Sequence, residues 1–160
     1  MPEEEAYEIL CKGFIKAEVK WNESEARAAI KRTAGYPYAV QLLGHNAYES
    51  DKDGNIDEDD WANATVSTAL ELQSKEFSTM YSFKGKRGSR ELIIDCVIEN
   101  NACLTKSDLN NQCPKQNVYR EISKLIQQGS LTQDAEGNIC ISSQLFRLAV
   151  IFSKPDLLKQ

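Results

Sequence analysis

The sequence lacks the features that most directly assign a protein to a membrane or to the secretory pathway. No apolar run approaches the ~20 residues that a membrane-spanning helix needs. The first residues, MPEEE, are acidic where a secretory signal is basic. The five cysteines are odd in number and form no CxxC pair, so structural zinc and a disulfide framework are both disfavoured. We therefore expect a cytoplasmic protein with reduced thiols and no membrane partner.

Signatures of catalysis and of phosphate binding are missing as well. His45 is the only histidine, so it cannot by itself form a His-rich metal site, and no constellation of nucleophile, base and orienting group is visible in the sequence. No GxxxxGK[ST] sequence occurs, and the phosphate cradle that this loop supplies is therefore absent from the sequence. We expect this chain alone not to be an enzyme, and we predict no catalytic residues.

The sequence instead shows two halves of unlike charge. Hydrophobic residues make up 41% of the 160 residues, which is typical of a globular protein. Residues 1–83 carry 8 Lys/Arg and 16 Asp/Glu, whereas residues 84–160 carry 11 and 8. The segment KGKRG at 84–88 combines two glycines with three cations and predicts a linker. We therefore predict one domain at 1–83 and another at 89–160.

The first half predicts four helices. Their starts are indicated by Pro2, by Asn22 with Glu25 as a capping box, by Pro37, and by Asp57 as a cap. The apolar faces of the third and fourth helices are predicted at Val40, Leu43, Ala47, Trp61, Val66, Leu70 and Phe77.

The second half predicts three helices followed by a hairpin. The predicted elements are helices at 92–97, after Thr105 and at 116–128, and strands at 131–133 and 139–141. The strands alternate apolar and polar residues, and the turn DAEGN joins them. This order predicts a winged helix-turn-helix, closed by a final apolar run. The predicted fold class is mainly α, with a four-helix bundle followed by a winged helix-turn-helix that carries a small β-hairpin.

The sequence TAGYPYAVQLLG at 33–44, together with the predicted winged helix, resembles a known family. It is similar to the C-terminal lid and winged-helix region of an AAA+ or signal-transduction-type P-loop ATPase, of the archaeal-type or replication-initiator-like kind. The most specific short motif in this resemblance is G-x-P, at Gly35-Tyr36-Pro37, which follows a predicted helix that ends near Thr33. The resemblance covers nearly the whole chain and implies an ATPase lid in the first half.

The resemblance also implies a nucleotide-proximal site. In such lids the start of this helix packs near the adenine and sugar, which implies that Gly35, Tyr36, Pro37 and Tyr38 lie close to ATP or ADP. A P-loop domain outside this chain would hold the nucleotide, and the isolated chain would hold none. In many such lids an arginine that senses the γ-phosphate stands where this sequence has Tyr38. The resemblance therefore implies a lid that responds to the bound nucleotide through packing contacts. The alternative is that these residues form only a turn between helices.

The function implied by the resemblance is regulatory. We expect the C-terminal part of an ATP-binding P-loop ATPase, in which the lid couples nucleotide state to the winged-helix surface. Its expected partner is an upstream P-loop ATPase domain, and this fragment alone is not expected to hydrolyse ATP. The alternative function is a self-contained winged-helix DNA-binding regulator with a helical effector domain. A pure protein-interaction module is a further alternative.

The predicted partner surface lies at the third helix of the winged helix. Its residues are Lys115, Gln116, Asn117, Arg120 and Lys124. These residue types read base edges or contact phosphates in double-stranded DNA. The acidic hairpin tip, with two carboxylates at 134–136, repels a phosphate backbone, so docking to a protein is favoured over DNA.

An acidic loop partly resembles a calcium-binding loop. With Gly54 at the sixth position, its ligand positions fall on Asp51, Asp53, Asn55 and Asp57. The twelfth position is an aspartate, which is too short for the usual bidentate contact of a glutamate. We therefore predict a solvated acidic turn and no metal site, with calcium binding as the alternative.

Overall fold

The computed structural model describes residues 1–154 and residue 157, and within these residues the protein is mainly helical with two small β-sheets. The chain divides into two compact units, Met1–Glu71 and Leu72–Gln160. None of the described helices combines the length and the apolar composition that crossing a lipid bilayer requires.

The boundary between the units lies earlier in the chain than the predicted linker at 84–88. Phe77 packs edge-on against Phe146 of the second unit, with ring centres 5.2 Å apart. Tyr81 is also buried, at 2% exposure. The segment before the glycines therefore belongs to the second core, and the glycine and lysine content at 84–88 does not reveal this.

Capping residues set the beginnings of the helices in the first unit. These helices are α1 (Glu3–Lys16), α2 (Glu23–Lys31), α3 (Pro37–Ser50) and α4 (Glu58–Ser74). Asn22 accepts a 3.2 Å hydrogen bond from the backbone N–H of Glu25, and Asp57 accepts two from the first turn of α4. Pro37 occupies the first position of α3, where no intrahelical N–H bond is lost. The predicted helix starts at Asn22, Pro37 and Asp57 are confirmed, whereas Pro2 is extended and α1 begins at the next residue.

Aromatic packing centres the core of the first unit. Phe14 of α1 lies with its ring centre 5.9 Å from that of Trp61 in α4 and 5.4 Å from that of Trp21. Such contacts combine large buried areas with favourable edge-on geometry. The predicted face of α3 is confirmed, with complete burial of Val40, Leu43 and Ala47.

The predicted apolar face of α4 is partly wrong. Val66 and Leu70 are 41% and 46% exposed, and the helix ends at Ser74. Phe77 belongs to a separate 3-10 helix at Glu76–Thr79. The buried face instead runs at helical spacing from Trp61, which was predicted, to Leu72, through the small or hydroxyl-bearing residues Ala64, Thr65 and Thr68. A pattern of large apolar residues alone does not show the middle of this face.

A short parallel bridge joins the two interhelical loops of the first unit. It pairs β1 (Lys20–Trp21) with β2 (Asn55–Ile56). The backbone N–H of Lys20 also donates a 2.9 Å hydrogen bond to the carbonyl of Gly54. Strands this short carry no alternation of apolar and polar residues, so the sequence did not predict them.

The second unit places helices around a three-stranded antiparallel sheet with strand order β3-β5-β4. Its elements are α5 (Ser89–Glu99), β3 (Cys103–Leu104), α6 (Lys106–Gln112), α7 (Val118–Gln127), β4 (Leu131–Gln133), β5 (Ile139–Ile141) and α8 (Gln144–Ser153). Leu131 pairs with Ile141 in the β4–β5 hairpin, which confirms the predicted strands. Strand β3 was not predicted, because it has only two residues.

A disulfide joins Cys103 of β3 to Cys140 of β5, with Cα atoms 4.1 Å apart. The expectation of reduced thiols is therefore wrong for this pair. The two cysteines are 37 residues apart and meet only because β3 pairs with β5, so their spacing carries no signal. Cys11, Cys96 and Cys113 are free thiols.

Candidate functional site

The predicted nucleotide-proximal residues form the turn between α2 and α3. Thr33 organises this turn, because its hydroxyl accepts a 3.2 Å hydrogen bond from the N–H of Gly35 and its carbonyl accepts one of 3.1 Å from Tyr36. Gly35 has φ +73°, which glycine adopts without strain. Tyr36 and Tyr38 are 41% and 36% exposed. The fold therefore brings both phenol rings to the surface at the start of α3, on either side of Pro37.

Gly35 is closely covered by the N-terminal residue. The backbone nitrogen of Met1 donates a 3.0 Å hydrogen bond to the carbonyl of Gly35. A Cβ atom at position 35 would lie 2.5 Å from the carbonyl oxygen of Met1, well inside van der Waals contact. The glycine is therefore required by the protein's own backbone, whether or not a nucleotide lies nearby.

Arg32, just before this turn, was not singled out by the sequence. Its guanidinium donates a 2.7 Å hydrogen bond to the hydroxyl of Thr65, which in turn donates one of 2.7 Å to the carbonyl of Trp61. These bonds hold the end of α2 against α4. The arginine that precedes the turn is thus engaged in helix packing.

The acidic loop uses its carboxylates to fold itself. One oxygen of Asp51 accepts backbone N–H bonds from Asp53, Gly54 and Asn55 at 2.9 to 3.2 Å. Desolvation acts to raise the pKa of Asp51, but these hydrogen bonds outweigh it and the pKa lies below its ordinary value. Among the described residues, the one group of three or more metal-ligating His, Cys, Asp or Glu side chains lies elsewhere. The carboxylates at 51, 53 and 57 are not members of that group, and the hydrogen bonds of Asp51 cap its own turn.

The predicted partner surface lies at the beginning of α7. Lys115 and Gln116 belong to a 3-10 turn, and Asn117, with φ +52°, precedes the first residue of the helix. The helix therefore begins two residues later than predicted. Lys115, Asn117 and Arg120 are exposed, whereas Gln116 and Lys124 are half-buried. Four of the five predicted residues lie at or just before the start of α7, and Lys124 lies in its last turn.

Glu121 reduces the positive charge of this surface. Its carboxylate lies 3.0 Å from Nε of Arg90 and 3.7 Å from Nζ of Lys124. The hydrogen bond from Arg90 holds the pKa of Glu121 below its ordinary value, so this carboxylate is anionic at neutral pH. Within the described part of the chain, Lys115 and Arg120 form no ion pair. These two are the accessible cations of the surface.

The tip of the β4–β5 hairpin is negative and tightly hydrogen-bonded. The carboxylate of Asp134 accepts bonds from the N–H of Glu136 at 2.9 Å, and from the N–H and side-chain amide of Asn138 at 2.8 and 3.1 Å. The backbone hydrogen bond from Asn138 is the main reason that the pKa of Asp134 lies below its ordinary value. Two exposed carboxylates at this tip oppose contact with a phosphate backbone.

A buried charge cluster in the second unit was missed by the sequence analysis. Asp95 of α5 is 3% exposed and accepts hydrogen bonds from the hydroxyl of Tyr81 at 2.6 Å and from Arg87 at 2.9 Å. Nζ of Lys154 lies 3.7 Å from the same carboxylate and donates to the hydroxyl of Tyr81. Burial, and secondly Asp95, raise the pKa of Tyr81, whereas burial lowers the pKa of Lys154. The available signal was a single acid within the apolar run LIIDCVI.

No protein-family model, curated protein or solved structure matches the chain. The residues themselves expose two tyrosines at the start of α3 and two cations at the start of α7.

Proposed function

We propose that the chain is the C-terminal regulatory part of an ATP-binding P-loop ATPase, with a helical lid in the first unit and a winged helix in the second. The lid couples the nucleotide state of an upstream P-loop domain to the winged-helix surface, because its contacts differ between the two nucleotide states. This fragment alone does not hydrolyse ATP. The main support is the element order α5, β3, α6, α7, β4, β5 with sheet order β3-β5-β4, which is typical of a winged helix.

The start of α3 supports the lid half of the proposal. Tyr36 and Tyr38 expose aromatic surface on either side of Pro37, and aromatic faces stack on nucleobases. In the proposal, Gly35 to Tyr38 approach the adenine and sugar of ATP or ADP that the P-loop domain holds. The side chain at position 38 carries no charge for a γ-phosphate, so the lid responds through packing.

The lid half is tested by measuring ATP affinity in the protein that includes its P-loop domain. Tyr36→Ala is expected to weaken ATP binding about tenfold, because base–aromatic stacking contributes ~1–3 kcal/mol. Tyr48→Ala is the matched control, since Tyr48 lies on the same helix and is 44% exposed. Equal effects of the two variants would contradict the proposal. So would a gene product whose chain associates with no P-loop domain.

The surface of α7 serves a protein partner in this proposal, because Glu121 pairs with Lys124 and the hairpin tip carries the exposed carboxylates of Asp134 and Glu136. The observation that favours the alternative DNA-binding regulator is the exposure of Lys115 and Arg120 at the helix start. Titration with duplex DNA at several salt concentrations separates the two. We expect weak binding that Arg120→Ala does not change more than Lys12→Ala, a control in the first unit. Tight, steeply salt-dependent binding that Arg120→Ala reduces selectively would favour the regulator.

A further inference from the structure

Three metal-ligating side chains converge at the three-stranded sheet. Cys103 of β3 faces Cys140 of β5 across the antiparallel pair, and Asp134 lies in the turn between β4 and β5. Their two sulfur atoms and a carboxylate oxygen all lie within 4.8 Å of one another. Among the described residues, this is the one group of three or more His, Cys, Asp or Glu side chains that converges in this way.

We propose that the reduced chain binds a divalent cation of the zinc class through Cys103, Cys140 and Asp134, and that oxidation of the two thiolates to the disulfide releases it. Tetrahedral zinc sites have Zn–S distances of ~2.3 Å and Zn–O distances of ~2.0–2.2 Å. Ligand atoms around such an ion lie about 3 to 4 Å apart. Once the sulfur–sulfur bond is broken, side-chain rotation of the two cysteines gives this spacing without movement of the strands.

Asp134 is held in position by its own turn. Its carboxylate accepts three hydrogen bonds, one from Glu136 and two from Asn138, at 2.8 to 3.1 Å. A carboxylate has about four lone-pair positions, so one remains for a metal ion. Outer hydrogen bonds of this kind orient metal ligands and raise affinity. The third ligand is therefore already ordered when the thiols are reduced.

The donor set and its exposure define the class of cation. Two thiolates favour zinc and related soft ions over calcium and magnesium, which prefer oxygen ligands. Cys103 and Asp134 are exposed and Cys140 is half-buried. An ion therefore enters directly from solvent, and water completes the fourth position. The free thiols Cys96 and Cys113 of the same unit are not members of the cluster.

Oxidation of the two cysteines needs an oxidant that accepts two electrons. A low-molecular-weight disulfide, such as glutathione disulfide, supplies this and balances the reaction. One cysteine thiolate attacks a sulfur of the oxidant, forms a mixed disulfide and expels one small thiolate. The other cysteine thiolate attacks the protein sulfur of that mixed disulfide and expels the second small thiolate. The oxidant's sulfur–sulfur bond breaks, the Cys103–Cys140 bond forms, and two electrons pass to the oxidant. The divalent ion leaves because both of its sulfur ligands are consumed.

The test titrates zinc into the reduced, metal-free chain in competition with a chromophoric chelator, and repeats the titration on the oxidised chain. We expect a single zinc equivalent in the reduced chain and none in the oxidised chain. Binding is expected to be at least tenfold weaker in Asp134→Asn. Cys103→Ser and Cys140→Ser are expected to abolish it. Cys113→Ser, another thiol of the same unit, is the matched control and is expected to retain full binding.

Cobalt substitution identifies the ligands directly. Thiolate-to-cobalt charge-transfer absorption is expected in the reduced chain, retained in Cys113→Ser and lost in Cys103→Ser. Far-ultraviolet circular dichroism establishes that each variant is folded. The proposal is overturned if the reduced chain binds no zinc, if Cys103→Ser binds it equally well, or if the oxidised chain keeps its zinc.

Discussion

Asp95 and Tyr81 form a 2.6 Å hydrogen bond between a carboxylate oxygen and a phenol hydroxyl inside the second unit. The same carboxylate contacts Arg87, from the segment before α5, and Lys154, at the end of α8. Asp95 is 3% exposed, so little solvent replaces these partners. One aspartate therefore holds three separate parts of the second unit together.

Replacing Asp95 is expected to destabilise the protein more than replacing its partner Arg87. Asp95→Ala leaves the ammonium of Lys154, 13% exposed, without its carboxylate, and removal of one member of a buried ion pair costs about 3–5 kcal/mol. Arg87→Ala is the matched control, because the Arg87 side chain is 44% exposed and exposed ion pairs contribute ~0–1 kcal/mol. Urea unfolding of both variants measures the difference. Equal losses in the two variants would show that the cluster is not held by its aspartate.

Tyr81 is expected to make the stability of the protein fall at alkaline pH. Burial raises the pKa of Tyr81 in the folded protein above its ordinary value of about 10. The stabilisation is therefore complete below that ordinary value and is lost as the pH rises above it, because the unfolded chain releases the proton first. The free energy of unfolding, measured from about pH 8 to about pH 11, is expected to decrease in the upper part of this range.

The variant Tyr81→Phe separates the effect of Tyr81 on alkaline stability from that of Lys154. The lowered pKa of Lys154 makes the free energy of unfolding increase with pH, which is the opposite direction. Tyr81→Phe is expected to be less stable at neutral pH but to show a smaller alkaline loss than the unmodified protein. Tyr119→Phe, at a tyrosine that is 59% exposed, is expected to keep the full alkaline loss. An unchanged alkaline slope in Tyr81→Phe would rule out Tyr81 as its source.

Local signals predicted the helices of this chain better than they predicted its contacts. Asn22 and Thr105 mark helix starts through hydrogen bonds made within a few residues, Pro37 marks one through its fixed φ, and the structure confirms all three. The parallel bridge β1–β2 and the strand β3 were missed, because their bonds depend on residues that are distant in sequence. The domain boundary differs for the same reason, since Phe77 joins a core whose other members follow much later.

The candidate sites show the same limit. The sequence located Tyr36, Tyr38, Lys115 and Arg120, which lie at or next to helix starts, and Lys124, which lies in the last turn of α7. It did not locate the Asp95 cluster or the Cys103–Cys140 pair, because each forms only when the second unit folds. From the resemblance, Gly35 was expected to let the backbone approach the nucleotide closely. The structure adds a second reason for this glycine that sequence spacing does not show, because a Cβ atom at position 35 would clash with the backbone of Met1.

Loss of the Cys103–Cys140 disulfide is expected to lower the stability of the metal-free protein by up to about 4 kcal/mol at 25 °C, because the bond closes a loop across a sequence separation of 37 residues. The double variant Cys103→Ser with Cys140→Ser, compared by urea unfolding with the oxidised protein, measures this loss. Cys11→Ser, at a free thiol of the first unit, is the control and is expected to change stability far less. A double variant as stable as the oxidised protein would mean that the closed loop contributes nothing to the unfolding free energy.

Two glycines in the helices of the first unit are expected to respond oppositely to the same substitution. A Cβ added at Gly44 of α3 would clash with Cδ2 of Leu10, which is buried, whereas no described atom outside the local backbone lies within 4 Å of a Cβ added at Gly13 of α1. Gly44→Ala is therefore expected to destabilise the protein by about 1–3 kcal/mol through overpacking. Gly13→Ala is expected to stabilise it by about 0.5–1 kcal/mol, because alanine restricts the unfolded chain and favours the helix.

Urea unfolding of the two single variants and of the double variant measures both effects. Gly13 and Gly44 line the same cavity between α1 and α3, so any departure of the double variant from the sum of the single changes measures their coupling. Destabilisation by Gly13→Ala would indicate that the space beside α1 is occupied in the folded protein, and stabilisation by Gly44→Ala would contradict the close contact between α1 and α3. If a partner binds over Gly13, Gly13→Ala would raise the stability of the free protein and weaken its binding to that partner.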